Sequence, residues 1–68
     1  MTRYGDVADR LEAVVAELDE LSFQLLQDAV ADGATRRPDA DKVLVQARRA
    51  AEKAARLIRD LEQAERAR

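Results

Sequence analysis

The 68-residue chain contains neither cysteine nor histidine. Without these residues it can form no disulfide, and it lacks the usual nitrogen and sulfur ligands of a structural zinc ion. The same absence removes the Cys–His and Ser–His–Asp arrangements used in nucleophilic catalysis. We therefore predict no catalytic residue, no metal site and no cofactor, and hence a protein that is not an enzyme.

Residues that break helices are also scarce, since the chain has one proline, Pro38, and two glycines, Gly5 and Gly33. The only aromatic residues are Tyr4 and Phe23. Hydrophobic residues, mostly Ala, Leu and Val, make up 47% of the sequence, and charged residues make up 38%. This composition is typical of long helices or a coiled coil and not of a disordered chain, so it predicts an all-α fold.

Long apolar runs are absent as well. The longest is Ala13–Ala16, whereas a helix needs about 20 apolar residues to span a bilayer. The N-terminus also lacks the basic and then apolar segment of a signal peptide. These features predict a cytoplasmic protein that does not bind membranes.

The first half of the chain has a heptad pattern that is typical of a packed helix. Its apolar residues are separated by alternating steps of three and four. They are Tyr4, Val7, Leu11, Val14, Leu18, Leu21 and Leu25. The pattern predicts a helix over about 5–32, ended by Gly33, because glycine readily takes the positive φ of a helix C-cap.

A second helix is predicted over about 39–66, after a turn at 33–38. Its start stays open between Pro38, which suits the first turn of a helix, and Asp39, which could cap it. Residues 1–35 carry eight acids and two bases, while 36–68 carry ten bases and six acids. Opposite charges favour side-by-side packing, and the short turn makes the pair antiparallel. Residues 1–68 thus form one helical-hairpin domain.

The predicted core of this hairpin follows the apolar pattern of both helices. It comprises Val7, Leu11, Val14, Leu18, Leu21, Leu25, Ala47, Ala51, Ala54, Ile58 and Leu61. Large residues of the first helix would then face mainly small residues of the second, which permits a close approach.

A single hairpin has more apolar surface than two helices can cover. Phe23, Leu26 and Val30 form a second stripe, about a third of a turn from the main one. Phe23 could be a single exposed aromatic residue, which is common, or part of a contact between chains. Because a core of this size stabilises by only about 3–5 kcal/mol, we predict a homodimeric four-helix bundle. Its predicted interface is Phe23, Leu26, Val30, Val43, Ala50 and Leu57.

Nucleic-acid binding is the alternative function, because basic residues follow the turn and one face of the second helix. They are Arg36, Arg37, Lys42, Arg49, Lys53 and Arg56. Against it, the net charge is −2, and both aromatic residues lie on apolar stripes and could not stack on bases. The first prediction is therefore a non-enzymatic structural or protein-protein interaction module, and the second is a small nucleic-acid accessory protein.

Three segments carry a resemblance that spans the chain: 4–8 (YGDVA), 18–22 (LDELS) and 37–50, which begins RPDAD and ends QARRA. With these segments the chain resembles small uncharacterised helical-hairpin proteins of actinobacteria, whose fold it implies and which have no assigned activity. Residues 10–19 are also similar to the first helix of the exodeoxyribonuclease VII small subunit, a hairpin that docks on a catalytic subunit. The Gly-x-Leu-x-Leu-Glu-Glu turn of that subunit is missing here, so this similarity implies no function.

Overall fold

The computed structural model describes residues 3–33 and 39–67, and these residues form two helices. Helix α1 comprises Arg3–Ala31 and helix α2 comprises Asp39–Arg66. The helices pack against each other along their length, as an elongated body of 56 × 16 × 11 Å. The prediction of two packed helices is thereby confirmed. Ion pairs of Asp9 with Arg59 and of Asp19 with Arg48 show that the helices are antiparallel.

Helix α1 ends as the sequence predicts, at a glycine with positive φ. Gly33 has a φ of +83°, and its N–H donates a hydrogen bond to the carbonyl of Val30 at 3.0 Å. This left-handed residue ends the helix because only glycine adopts that conformation without steric cost. The rest of the predicted turn, 34–38, lies outside the described residues. It includes Pro38, so the question of whether Pro38 is helical lies there too.

The two helices meet along a line of residues with heptad spacing, which we call the contact line. On α1 the line comprises Ala8, Leu11, Val15, Leu18, Ser22, Leu25 and Ala29, and on α2 it comprises Asp41, Leu44, Arg48, Ala51, Ala55, Ile58 and Glu62. Within the described ranges, Ala8 and Ala55 are the only hydrophobic residues that are fully buried. Small side chains at these two positions let the backbones approach closely.

The predicted hairpin core is wrong at five positions. Three of them are on α1 and two on α2, and all are exposed in the single hairpin: Val7, Val14, Leu21, Ala47 and Leu61. The apolar stripe of each helix is wider than the line that one partner helix can cover. The helices meet along one edge of these stripes, so the residues at the other edge stay exposed. The other six predicted core residues are partly buried.

Charged residues occupy part of the contact line, which the apolar pattern did not predict. Asp41 is 1% exposed, Glu62 is also buried, and Arg48 is half-buried. They belong to the series 41, 48, 55 and 62, whose members are seven residues apart. The heptad spacing is therefore present in the sequence, but charged residues occupy three of its four positions and so do not contribute to an apolar pattern. The matching heptad positions on α1 are Ala8, Val15, Ser22 and Ala29, which are all smaller than leucine.

Candidate functional site

The residues on either side of the contact line form two different surfaces. On the first, which we call the ion-pair side, acids of α1 contact arginines of α2. Glu12 and Asp19, seven residues apart, accept hydrogen bonds from Arg59 and Arg48 respectively. Glu52, on the same flank of α2 as Arg59, is also bound to Arg48, at 3.0 Å. This side therefore fixes which flanks of the two helices lie together.

The arginine contacts on the ion-pair side are multiple and charge-assisted. Arg59 donates from Nε and Nη2 to the two carboxylate oxygens of Glu12 at 3.3 and 3.1 Å, and Nη2 also donates to Asp9. These hydrogen bonds, first to Glu12 and then to Asp9, raise the pKa of the Arg59 guanidinium. A hydrogen bond to Asp19 is the main cause of the raised pKa of Arg48. Both arginines stay charged and are engaged within the hairpin.

The opposite flanks form a second surface, which we call the apolar side. Because Glu12 and Asp19 lie on one flank of α1, the other flank carries Val7, Val14 and Leu21. By the same reasoning the flank of α2 away from Glu52 and Arg59 carries Ala47, Ala54 and Leu61. The flank of α1 that carries Val14 and the flank of α2 that carries Ala54 lie on the same side of the hairpin, since the ion pairs join the opposite flanks of the two helices.

The apolar side continues outward on α2. Its outer residues are Val43, Ala50 and Leu57, which lie one helical turn before Ala47, Ala54 and Leu61 respectively. Leu57 is 56% exposed. These are the three α2 residues of the predicted interface. Together with Val7, Val14 and Leu21, they form an apolar surface that is wider than the surface buried between the two helices of one hairpin.

The three α1 residues of the predicted interface lie elsewhere. Phe23 is two residues from Leu21, which is about 200° around a helix, so it lies away from the apolar side. Phe23, Leu26 and Val30 instead follow Asp19 by four, seven and eleven residues, on the ion-pair side towards the end of α1. The six residues of the predicted interface therefore lie on two different sides of the hairpin, and their role in a contact between chains stays a prediction.

A shallow groove marks this second apolar group, which we call the Phe23 groove. Its described lining residues are Phe23, Leu26, Gln27, Val30 and Ala31. Phe23 is 57% exposed and Val30 is 73% exposed. No described α2 residue lines it, so the surface is an outward continuation of α1.

A cleft of about 480 Å³ lies nearer the middle of the ion-pair side. Val15 and Ala55 are its apolar residues, and its charged residues are Glu12, Glu52, Arg56 and Arg59. Since acids and bases balance and three of the four are held in ion pairs with each other or with Arg48, the cleft offers no concentrated charge to a ligand.

Of the described residues that were predicted to bind nucleic acid, only one has an ion-pair partner among the described residues. Lys42 lies 3.9 Å from Asp39, and both side chains are largely exposed. Arg49, Lys53 and Arg56 are exposed, and none has an ion-pair partner among the described residues. Arg36 and Arg37 lie outside the described residues. The structure thus leaves an outer basic stripe on α2 that is separate from the arginines bound to α1.

Residues 3–33 and 39–67 contain no group of three or more acidic residues that is placed to hold a metal ion. Neither helix combines the length and the hydropathy needed to cross a membrane.

Comparison of the chain with known protein families, with curated proteins and with solved structures finds no match. The function must therefore be argued from the surfaces of the hairpin itself.

Proposed function

We propose that this protein is a non-enzymatic interaction module in which two hairpins pair through their apolar sides to form a homodimeric four-helix bundle. The observation that carries the proposal is the apolar side itself. It presents Val7, Val14 and Leu21 of α1 beside Leu57 and Leu61 of α2, all of them exposed in a single hairpin.

The interior of one hairpin is too small to account for so many apolar residues. In the described chain, fully buried hydrophobic residues are limited to Ala8 and Ala55. Burying apolar surface is the main favourable contribution to folding, and alanine offers little of it. A second hairpin on the apolar side would bury valine and leucine side chains. Complete burial of each such side chain would stabilise the dimer by about 1.5–3 kcal/mol.

The dimensions of the hairpin suit a stable dimer. The face that contains both helix axes measures about 56 by 16 Å, which corresponds to about 900 Å² per hairpin. A standard protein–protein interface buries about 800 Å² per partner. A face-to-face dimer could therefore reach the usual size without a further domain.

The composition of the apolar side favours a second copy as its occupant. Its α2 rows at 43, 50 and 57 and at 47, 54 and 61 contain no charged residue, and neither does the α1 row at 7, 14 and 21. The centres of stable interfaces are depleted of charge in the same way. In a two-fold dimer each face meets its own copy, so an uncharged surface can pair with itself without repulsion.

Light scattering after size exclusion tests the proposal at low micromolar concentration. We expect twice the chain mass of 7.6 kDa and a melting temperature that rises with protein concentration. The matched variants are Leu57→Asp on the apolar side and Phe23→Asp on the ion-pair side, since the parent residues are 56% and 57% exposed. Only Leu57→Asp should dissociate the dimer. A folded monomeric wild type, or dissociation by both variants alike, would contradict the proposal.

Nucleic-acid binding stays as a second candidate because Arg49, Lys53 and Arg56 are exposed and have no ion-pair partner within 3–33 and 39–67. Phosphate binding through these residues would weaken steeply with salt. Fluorescence polarisation with a labelled DNA duplex at about 50 mM salt, repeated with Lys53→Glu, tests it. Loss of binding in the variant supports the candidate, and no binding to the wild type excludes it.

A further inference from the structure

The apolar side has a different border on each helix. On α2 the outer row at 43, 50 and 57 is apolar. On α1 the corresponding positions, one helical turn before Val14 and Leu21, are Arg10 and Glu17. Both are exposed, and neither has an ion-pair partner among the described residues. The apolar surface is therefore broader on α2, and on α1 it ends at a charged row.

The other acids of α1 near this level point elsewhere. Those on the ion-pair side, Asp9, Glu12 and Asp19, are bound to arginines of α2. Asp6 and Glu20 belong to the next row outward from Arg10 and Glu17, away from the face. The border of the apolar side next to Val14 thus consists of one base and one acid, seven residues apart.

Two identical faces can be related by a two-fold axis in two ways. An axis parallel to the helices places α1 of one hairpin on α2 of the other, so Arg10 and Glu17 would lie against the apolar outer row of α2. An axis across the helices places each helix on its own copy in antiparallel orientation. A charged row then meets a charged row, and an apolar row meets an apolar row. Because it is costly to bury a charge against apolar side chains, the second arrangement is favoured.

The ion pairs of the hairpin indicate the level of this axis. Arg59 is bound to Asp9, and Arg48 is bound to Asp19. Residue 14 is midway between the two acids, and the midpoint of the two arginines falls at residues 53 and 54. Residues 14 and 54 therefore lie at the same level, and each is also the middle member of its row on the apolar side.

An axis at this level brings together residues that suit each other. Ala47 meets Leu61 of the partner subunit, so a large side chain lies opposite a small one, which favours close packing. Arg10 comes within one residue of the level of Glu17 of the partner subunit. The two-fold symmetry forms this pair of opposite charges twice.

We propose that each helix of the dimer packs antiparallel on its own copy, and that Arg10 of each hairpin pairs with Glu17 of the partner subunit. The inference rests on the dimer proposed above and adds what selects the partner. The apolar rows are uncharged and would accept many surfaces, whereas opposite charges at their border favour one orientation and disfavour others. Arg10 and Glu17 thereby make the face specific for a second copy of this chain.

Charge reversal at these two positions tests the proposal. The variants are Arg10→Glu, Glu17→Arg and the double exchange that carries both. Arg49→Glu is the matched control, since Arg49 is equally exposed, lies on the other side of the hairpin and changes the net charge by the same amount. Dilution of each protein at low salt, followed by light scattering, gives the dissociation constant of the dimer, and circular dichroism establishes that each variant is helical.

We expect each single reversal to place like charges together twice and to weaken the dimer at least about tenfold. The double exchange restores opposite charges and should return the constant to within about threefold of the wild type. An equimolar mixture of the two single variants should form a heterodimer, which native mass spectrometry separates from both homodimers. High salt should reduce all these differences, and Arg49→Glu should behave as the wild type does.

Introduced cysteines test the orientation independently, because the chain has none of its own. Ala54→Cys lies at the proposed axis and should form a disulfide with its own copy, since a disulfide needs Cα atoms about 4.4–6.8 Å apart. In the other arrangement, a disulfide would form instead between Val14→Cys in one chain and Ala54→Cys in the other.

A wild-type dimer whose single reversals are no weaker than Arg49→Glu would overturn the inference and leave the dimer itself intact. A disulfide between positions 14 and 54, with none between two copies of position 54, would do the same. A monomeric wild type would overturn the proposed function as well, so the two failures are distinguishable.

Discussion

The two sides of the hairpin use the same pair of helices in different ways. On the ion-pair side, acids of α1 and arginines of α2 satisfy each other within the chain, as in the contacts of Arg59 with Glu12 and of Arg48 with Asp19. On the apolar side, Leu21 and Leu57 are about half exposed in the single hairpin. Contacts within the hairpin thus determine how its helices align, whereas the apolar side takes no part in that alignment.

The largest expected effect is the difference in helical signal between variants with charges introduced on the apolar side and variants with charges introduced on the ion-pair side. We expect the double variant Val14→Asp, Leu21→Asp to lose most of its helical signal in circular dichroism at low micromolar concentration. Each aliphatic side chain lost from an apolar interface costs about 1.5–3 kcal/mol, and a carboxylate buried there without a partner adds to that cost. The same two charges at Phe23 and Val30 serve as control and should leave the helical signal intact. Equal losses in both double variants would remove the distinction between the sides.

A larger residue on the contact line itself should have the next largest effect. Ala55 is 4% exposed, so Ala55→Leu has to push the helices apart, and overpacking of this kind costs about 1–3 kcal/mol. Ala16→Leu, at an exposed position of α1, is the matched control and should change stability little. Urea unfolding at a fixed protein concentration measures both. If the Ala55 variant is as stable as the wild type, Ala55 does not lie at the closest approach of the helices.

Removing an arginine from the ion-pair side should have the smallest effect. Arg59→Ala breaks the contacts with Asp9 and Glu12 and takes away a neighbour of the buried Glu62 at 3.7 Å. We expect a small fall in melting temperature that shrinks at high salt, because exposed ion pairs contribute little and are screened. Arg56→Ala, which removes no ion pair of the described residues, should lower the melting temperature less. The same fall in both variants at every salt concentration would mean that the pairs do not stabilise the hairpin.

Much of the fold was predictable because it depends on local properties. Scarce helix breakers and a heptad repeat predict two helices, and Gly33 predicts the end of the first, since glycine takes a positive φ at low cost. The core was less predictable. Val14 and Leu18 look equivalent in the heptad pattern, yet Val14 is exposed and Leu18 is partly buried.

The candidate surfaces were likewise predictable only in part. The sequence was sufficient to identify Phe23, Leu26 and Val30 as an apolar stripe of α1 separate from the main one, because the angle between residues of one helix depends only on their spacing. It was not sufficient to show that Val43, Ala50 and Leu57 lie on the other side of the hairpin. That relation depends on which flanks of two different helices meet, and the contacts of Arg48 and Arg59 reveal it only in the folded chain.

Composition and heptad spacing are sufficient to predict two amphipathic helices and to exclude disulfide and histidine chemistry. The folded hairpin shows in addition that the buried charges Asp41 and Glu62 share the contact line with alanine and leucine, while Val14 and Leu21 lie beside it. The physical reason is that a helix presents an apolar face wider than one partner can cover. Which part of that face is buried depends on the closest approach and charge pairing of both helices together.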